Sequence, residues 1–579
     1  MIPVPLFGKP DVNKLKNDGN VKGLSRALRY RKDRRVRSDA ARVLGELGDA
    51  NAVPALIGAM KESAGAERGP IIEALVAIGD SRAIDPLVAL LADDDSCVCL
   101  DVARALHSLD GMPADEAVQV WAAMAGDEWE RIPSFGSQAV EPLLIALQYP
   151  DKKVRRHAAE LLGEIGEPKS VSPLIAALDD RDLLVSMKAA DSLGKIGEPA
   201  IEPLVAALRE ANQSARFQIA KALDAIGVPD DPRIQTWYGI AQKDWAGIVA
   251  LGPATIETLA DALSHPDRQV RMEAAAAIGK IGDPGGTRPL ITALADPRAD
   301  VRRTAVESLG DIGDPRAVRP LLAMLGDSRD DVSRAATIAL AAIGPLAVDP
   351  LVEALHGDDV QVSEASVETL GAIGDARGAG PLIEMLGHRS PAMRQKAAGA
   401  LGAIADDSAV KSLIAALKDA KSDVRQAAAR ALGAIGSGRA VTPLTRALKD
   451  SQPEVRRAAA AALGMIESKE AVKPLIAALR DSDAGVRWDV ADALGMIGSK
   501  AAVLHLVDAL GDSHVYVRRA AATALGKLGD VRAVSPLINA LGDRDARNQA
   551  LAALREITWQ DYGEDAGHWI AWWAAYRRE

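Results

Sequence analysis

Two cysteines, a few Gly-Lys pairs, a run of arginines and a recurrent Val-Arg pair are the features of this chain whose residue types and spacing could do chemistry. Cys97 and Cys99 are separated by one residue, with no second Cys/His pair at zinc spacing, so neither a metal site nor a disulfide framework is expected. Gly194–Lys195, Gly279–Lys280 and Gly526–Lys527 are followed by Ile, Ile and Leu, whereas a phosphate-binding loop needs Ser or Thr there and an upstream glycine. No G-x-S-x-G and no nucleophile–base constellation is found, and nothing singles out one pair among the many carboxylates. The expectation is a chain with no catalytic residue, no cofactor and no metal. Two cationic features remain. Arg29, Arg31, Lys32, Arg34, Arg35 and Arg37 crowd into "RYRKDRRVR", which would suit nucleic acid or an acidic partner, or else a solvated helix end favoured by the helix dipole. Tyr30 is the one aromatic among them. Arg302, Arg425, Arg456, Arg487 and Arg518 form a column, either a phosphate-binding row or structural partners of Asp residues such as Asp300, Asp423 and Asp512.

The elements that position these residues follow from a period. Val424, Val455, Val486 and Val517, each followed by Arg, stand 31 residues apart, and degenerate copies keep the beat back to Val36, giving about sixteen units. In "DVRQAAARALGAIGSGRAVTPLTRALKD", Val424, Ala427, Ala428, Ala431, Leu432 and Ile435 recur at helical spacing. A turn at Gly436 and Gly438 ends that first helix, and Val441, Leu444, Ala447 and Leu448 mark a second. Alanine pairs let neighbouring helices approach closely. The composition agrees: 48% hydrophobic but 3% aromatic, a core of small side chains that grows in one dimension. The net charge of −11 argues against generic binding to nucleic acid or anionic membrane. The N-terminus "MIPVPLFGKPDVNKLKNDGN" lacks the pattern of a signal peptide, and no apolar stretch is read as approaching about 18 residues, so no membrane span is expected. A cytoplasmic, reducing location is the expectation.

The pattern D-x-x-V-R-x-x-A-A-x-A-L-G-x-I-G-D-x-R-A-V-x-P-L-I-x-A-L, followed closely by "DVRRTAVESLGDIGDPRAVRPLLAML" from Asp300, resembles the short HEAT-like units of phycobilisome lyase subunits. The resemblance covers roughly residues 34–557 and implies an all-α solenoid, a superhelix of about sixteen two-helix repeats with irregular inserts and helical end caps. It also implies that Arg and Asp pair along the stack and that second helices line the concave face. One HEAT-like branch, deoxyhypusine hydroxylase, holds iron with His-Glu dipeptides. His107, His157, His265, His356, His388, His505, His514 and His568 are all followed by other residues, so that site is absent. The lyase association makes a bilin lyase or chaperone-lyase subunit acting on a tetrapyrrole protein the main enzymatic alternative. Fold resemblance alone does not transfer activity.

The beat fails twice. "VWAAMAGDEWERIPSFGSQAVEPLLIAL" aligns with "TWYGIAQKDWAGIVALGPATIETLADAL" at an offset of 116, bringing Trp121 onto Trp237, Trp129 onto Trp245 and Glu141 onto Glu257. A duplicated block is inferred, with hinges or bends at both inserts. "HWIAWW" adds Trp569, Trp572 and Trp573, whose helical spacing gives an aromatic face able to close the end of the stack. Short helices around Val12–Leu15 and Val21–Leu28 would cap the other end. The expected organisation is an N-terminal cap over 1–33, repeats over 34–110, an insert over 111–150, repeats over 151–228, a second insert over 229–266, regular repeats over 267–557 and a Trp-rich cap over 558–579.

What remains is a surface. The residue just before each Pro-Leu of the second helices reads Asp85, Glu141, Ser172, Glu202 and Glu257, then Arg288, Arg319, Asp349, Gly380, Lys411, Thr442, Lys473, Leu504 and Ser535. It turns from acidic to mostly basic or neutral at the second insert. The expected function is a non-catalytic scaffold or adaptor that binds a protein partner along these columns. The alternatives are the lyase subunit and a nucleic-acid-binding solenoid entered through Arg29–Arg37.

Overall fold

A computed structural model describes residues 9–91, 96–111 and 114–578. The start of the N-terminal segment and the side chain of Cys97 lie outside the described residues. The chain divides into two bodies, Met1–Val270 and Arg271–Glu579.

A representative unit shows why the sequence folds this way. The first helix, Ser422–Ile435, ends at Gly436, whose φ of 75° is the left-handed cap that glycine adopts without penalty. A 3-10 turn at Gly438–Ala440 leads into the second helix, Val441–Ala447. Val424, Ala428, Ala431, Leu432, Val441 and Leu444 are buried as their periodicity predicts. Ala427 and Ile435 are only half-buried, whereas Ala429 and Gly433, outside the predicted stripe, are buried. The reason is that each first helix is packed on both sides by first helices of its neighbours. A Cβ built on Gly433 would stand 2.7 Å from Ala462 Cα, so these backbones touch. The same glycine-to-alanine contact recurs at Gly371 with Ala400, Gly402 with Ala431, Gly464 with Ala493 and Gly495 with Ala524. Small residues set the spacing.

In the first body, Val12–Asn17 and Val21–Ala27 pack on the first helix of the first unit, Arg34–Leu47. Units follow with first helices Gly69–Ile78, Ser96–Ser108, Lys152–Ile165, Leu183–Ile196 and Gln213–Ile226. Between Ser96–Ser108 and its second helix Val140–Ala146 the chain forms an extra helix, Glu116–Ala125, and a 3-10 segment, Trp129–Ala139. The corresponding interruption after Gln213–Ile226 holds Pro232–Gln242, Trp245–Ala250 and a 3-10 turn before Ile256–Ala262. Gly136 and Gly252 both take positive φ there, 54° and 71°.

In the second body, two-helix units run from Ala299–Ile312 to Arg547–Thr558, followed by Ala566–Tyr576. One reading needs correction. Asp330–Leu355 is a 26-residue helical run long and apolar enough, by length and composition, to cross a membrane. It is an ordinary unit whose interhelical turn carries Gly344 and Pro345 in place of polar residues. Gly344 breaks the helix with φ 75° and ψ −135°, and half of the apolar window is buried inside the protein.

Candidate partner-binding surface

The arginine column is committed internally. Arg302 Nε and Nη2 clasp Asp327 at 2.7 and 2.8 Å, and its Nη1 donates to the Asp296 carbonyl at 3.0 Å. Arg425 with Asp450, Arg456 with Asp481 and Arg487 with Asp512 repeat the fork, each carboxylate 25 residues downstream. Each aspartate also accepts a backbone N–H two residues on, as Asp450 does from Gln452. The carbonyls of Asp450, Asp481 and Asp512 in turn take Nη1 of Arg456, Arg487 and Arg518. The nearby Asp300 and Asp423 are not the partners of this fork. The second helix returns the chain so that the aspartate after it, not the one before the arginine, faces the guanidinium. Ser333 and Ser363 interrupt the ladder, their hydroxyls donating instead to Leu325 and Leu355 carbonyls at 2.7 and 2.8 Å. A bidentate, carbonyl-bound guanidinium has little left to offer a phosphate.

The second-helix column is different: all fourteen positions, from Asp85 to Ser535, are exposed. In the first body, Glu141 pairs with Lys169 at 3.3 Å and Glu202 with Arg233 at 2.6 Å. Asp85 and Glu257 form no ion pair among the described residues. In the second body, Arg319 reaches Glu353 at 3.3 Å and Asp349 reaches Arg377 at 3.6 Å. Arg288, Lys411 and Lys473 form no ion pair among the described residues, so their charge faces solvent. Exposed pairs of this kind contribute about 0–1 kcal/mol and are readily exchanged for a partner's charges.

The basic run is partly spent. Glu67 takes Arg37 at 2.8 Å and Arg34 at 3.5 Å, and Arg37 also donates to the Tyr30 carbonyl. Arg29, Arg31, Lys32 and Arg35 are exposed. Asp33, the helix N-cap, accepts from Arg35 N and pairs with Lys9 at 2.8 Å, which holds its carboxyl below the ordinary range.

The tryptophans sort by burial. Trp121, Trp237 and Trp569 are buried, while Trp129, Trp245, Trp572 and Trp573 are half-buried. Trp569 donates to the Gly563 carbonyl at 2.8 Å and meets Tyr562 edge-on, and its helix packs on Val534–Ala540. Trp559 is 90% exposed and takes φ 57° at the helix end where most other units place glycine and two place Ala405 and Glu467. Trp129 stacks on His157 with ring centroids 4.6 Å apart and donates to Asp127. Burial pushes the His157 imidazole down, and Arg156 lowers it further. A histidine held neutral by the fold adds stability above its ordinary value of 6.5, and that stability is lost as pH falls below it. As pH falls from 7 to 5, amides of Lys152–Ile165 should therefore lose protection relative to their intrinsic exchange rates, and His157→Gln should abolish that dependence.

Trp488 lies in a regular unit, away from the inserts and the C-terminal helix, and its partners come from neighbouring units. Tyr516 lies 6.2 Å from it, Arg457 sits over its face at 5.8 Å and Arg519 over Tyr516 at 5.9 Å. Both rings are exposed. A cleft of about 710 Å³ runs along the first helices of three units, past Gly371, Gly399 and Arg430. Among the described residues no group of three or more His, Cys, Asp or Glu is placed to hold a metal ion.

Against known protein families, the chain matches HEAT repeats over residues 21–107, 140–232, 256–341, 348–428, 379–452, 410–488, 442–523 and 472–555. These matches span well over half of its length: the chain belongs to the HEAT-repeat family. Two of the intervals they leave, 108–139 and 233–255, hold Trp121, Trp129, Trp237 and Trp245. The bilin biosynthesis protein PecE of Mastigocladus laminosus is 41% identical over 90 residues, 15% of this chain and 30% of that protein. The match thus spans less than a third of that relative. Among solved structures, yeast importin-β (Kap95p) is 14% identical, with 96% of this chain and 89% of that chain covered and a TM-score of 0.35. Human deoxyhypusine hydroxylase is 22% identical, with 53% and 99% covered and a TM-score of 0.20. At these scores neither likeness bears on function.

Proposed function

We propose that the chain is a non-catalytic scaffold that binds protein partners through the exposed second-helix columns. The observation that carries this reading is the uniform exposure of that column, with Asp85, Glu141, Glu202 and Glu257 in the first body and Arg288, Arg319, Lys411 and Lys473 in the second. The first set suits a basic protein surface and the second an acidic one. Repeat units support such a role because each varies its surface residue while its buried residues keep the fold. The arginine ladder, by contrast, is consumed within the protein.

The test is capture of partners from the host by the tagged protein, followed by charge reversal. Replacing Arg288, Arg319, Lys411 and Lys473 together with Glu should weaken binding of an acidic partner by at least about tenfold, a loss of ~1.4 kcal/mol. It should leave the melting temperature unchanged, because all four side chains are in water. Binding should also weaken with salt. Unchanged affinity in the fourfold variant would exclude this surface.

A bilin-lyase-like role has one observation in its favour, the 90-residue identity to PecE. It predicts that the captured partner is a tetrapyrrole protein and that the preparation carries its visible absorbance.

A further inference from the structure

We infer that the face formed by Trp488, Tyr516, Arg457 and Arg519 docks an acidic segment of a partner protein, one with an aromatic side chain between two carboxylates. The face lies on the first helices Pro453–Ile466, Ala484–Ile497 and Val515–Leu528 of the second body. None of its four residues belongs to the second-helix columns.

Packing does not account for the two rings. Trp488 stands two residues after the buried Val486, and from Arg303 to Arg519 the units otherwise place Arg, Glu or Gln there. Tyr516 stands just before the buried Val517, where other units carry Asp300, Asp331, Asp423 and Glu454. The fold therefore needs no ring at either position. Yet Trp488 is 42% and Tyr516 54% exposed, with ring centroids 6.2 Å apart. Neither Trp488 Nε1 nor the Tyr516 hydroxyl makes a hydrogen bond among the described residues. Met496, two turns along the Trp488 helix, is exposed as well.

Two guanidiniums are fixed beside these rings and left with free edges. Asp489 takes Arg457 Nε at 2.7 Å, and the Asp545 carbonyl takes Arg519 Nε at 2.6 Å. Arg457 then sits 5.8 Å from the Trp488 centroid and Arg519 5.9 Å from that of Tyr516. No Nη of either makes a hydrogen bond among the described residues. A guanidinium anchored by its Nε and a ring face offers that Nη edge to a carboxylate with little further loss of side-chain freedom. Asp489 is taken by Arg457, and Asp492, one turn along the same helix, by Lys527 at 3.2 Å. The charge left unpaired against the two rings is therefore cationic. Clustered Trp, Tyr and Arg are also the side chains that dominate binding energy between proteins.

The spacing defines the segment. Arg457 and Arg519 stand two units apart, about 16–20 Å at ~8–10 Å per packed helix. An extended chain advances about 3.3 Å per residue, so the two carboxylates should lie about five or six residues apart. An aromatic residue midway would meet Trp488 and Tyr516. Each ring already has a guanidinium over one face, which suits a carboxylate at the guanidinium edge better than a stacked base.

Fluorescence anisotropy of a labelled heptapeptide, with Glu at both ends, Tyr at the centre and Gly or Ser between, tests the inference on the full chain. It should bind with a Kd below about 1 mM. Peptides with Lys at the ends, or Gly at the centre, should bind at least about tenfold more weakly. Trp488→Gln should weaken the acidic peptide by at least about tenfold and Arg519→Gln by about threefold. Gln426 fills the same place in its own unit, so both variants should fold, and an unchanged melting temperature verifies it. The fourfold second-helix variant should bind the peptide unchanged, which keeps the two surfaces distinguishable. No binding below about 1 mM, or equal binding of the Lys-ended peptide, overturns the acidic partner. Binding that Trp488→Gln or Arg519→Gln leaves intact, or that the fourfold variant removes, overturns the location. Equal binding of the Gly-centred peptide overturns the central aromatic. Tighter binding of an oligothymidylate of about eight nucleotides, lost in Trp488→Gln, would assign the rings to base stacking and overturn a protein partner.

Discussion

Asp481→Ala is expected to destabilise the stretch from Pro453 to Ala509 by about 3–5 kcal/mol. Asp481 takes Arg456 Nε at 2.7 Å and Nη2 at 2.8 Å, accepts from Asp483 N at 2.9 Å, and lends its carbonyl to Arg487 Nη1 at 2.9 Å. The two side chains are each 12% exposed. Truncation therefore strands a guanidinium in a nearly dry place and removes a turn cap at the same time. Units of a repeat array unfold locally, so the measurement is amide exchange resolved by helix, with the melting temperature as a second readout. Replacing both partners, Arg456→Met with Asp481→Asn, keeps the acceptor for Asp483 N and removes the stranded charge. The pair should cost about 1 kcal/mol or less. A double variant as unstable as the single would mean that the ion pair itself, and not the stranded charge, supplies the stability.

Acid acts on the same ladder with a defined sign. Hydrogen bonds from Arg425, Arg487 and Arg394 hold the carboxyls of Asp450, Asp512 and Asp419 below their ordinary value of 3.8. A depressed carboxyl stabilises the fold fully above its unfolded value and loses that contribution as pH falls through the folded one. The loosening should therefore appear below pH 3.8, in the ladder-bearing units. Helix Val360–Ile373, where Ser363 stands in the arginine's place, should respond less.

The period, the turn at Gly436 and the exposure of the residue before each Pro-Leu were legible because each rests on a signal within a few residues. Apolar positions recurring every three to four residues define a helix locally, and the second position of a seven-residue helix such as Val441–Ala447 faces away from its buried Val441 and Leu444. Pairing of the arginine column with aspartates was legible, and Asp512 is the partner of Arg487, but which aspartate faces which arginine was not. Asp300 is two residues from Arg302 in sequence yet accepts from Val301 N, while Asp327 wins because an intervening helix folds it back. The cluster at Trp488 has no local signal either, because Tyr516 and Arg457 belong to other units and no period within one unit brings them together. Arg216 departs from the ladder for a related reason: the insert carries its partner, Asp267, 51 residues away. Local chemistry names the unit. Contacts between units decide which residues are free.

That division is sharpest for glycine, where two residues of one type should answer in opposite directions. Gly433→Ala would place its Cβ 2.7 Å from Ala462 Cα, closer than real side chains come, against backbone that cannot rotate away. The helices must part, and the expected loss is about 1–3 kcal/mol of overpacking. Gly399, in the helix Pro391–Ile404, has nothing within 4 Å of such a Cβ and lies at the open cleft. There the change only removes backbone freedom from the unfolded chain, and Gly399→Ala should stabilise by about 0.5–1 kcal/mol. Adding Ala462→Gly to Gly433→Ala removes the opposing Cβ at 2.8 Å but not the Cα, so rescue should be partial. Amide exchange in Ser422–Ile435 and Pro453–Ile466 reads all three. A harmless Gly433→Ala would show that neighbouring first helices can separate without loss, and that the glycine does not set their spacing. The opposite signs at two glycines would show that it does, and that Gly399 is retained in the chain for some reason other than stability.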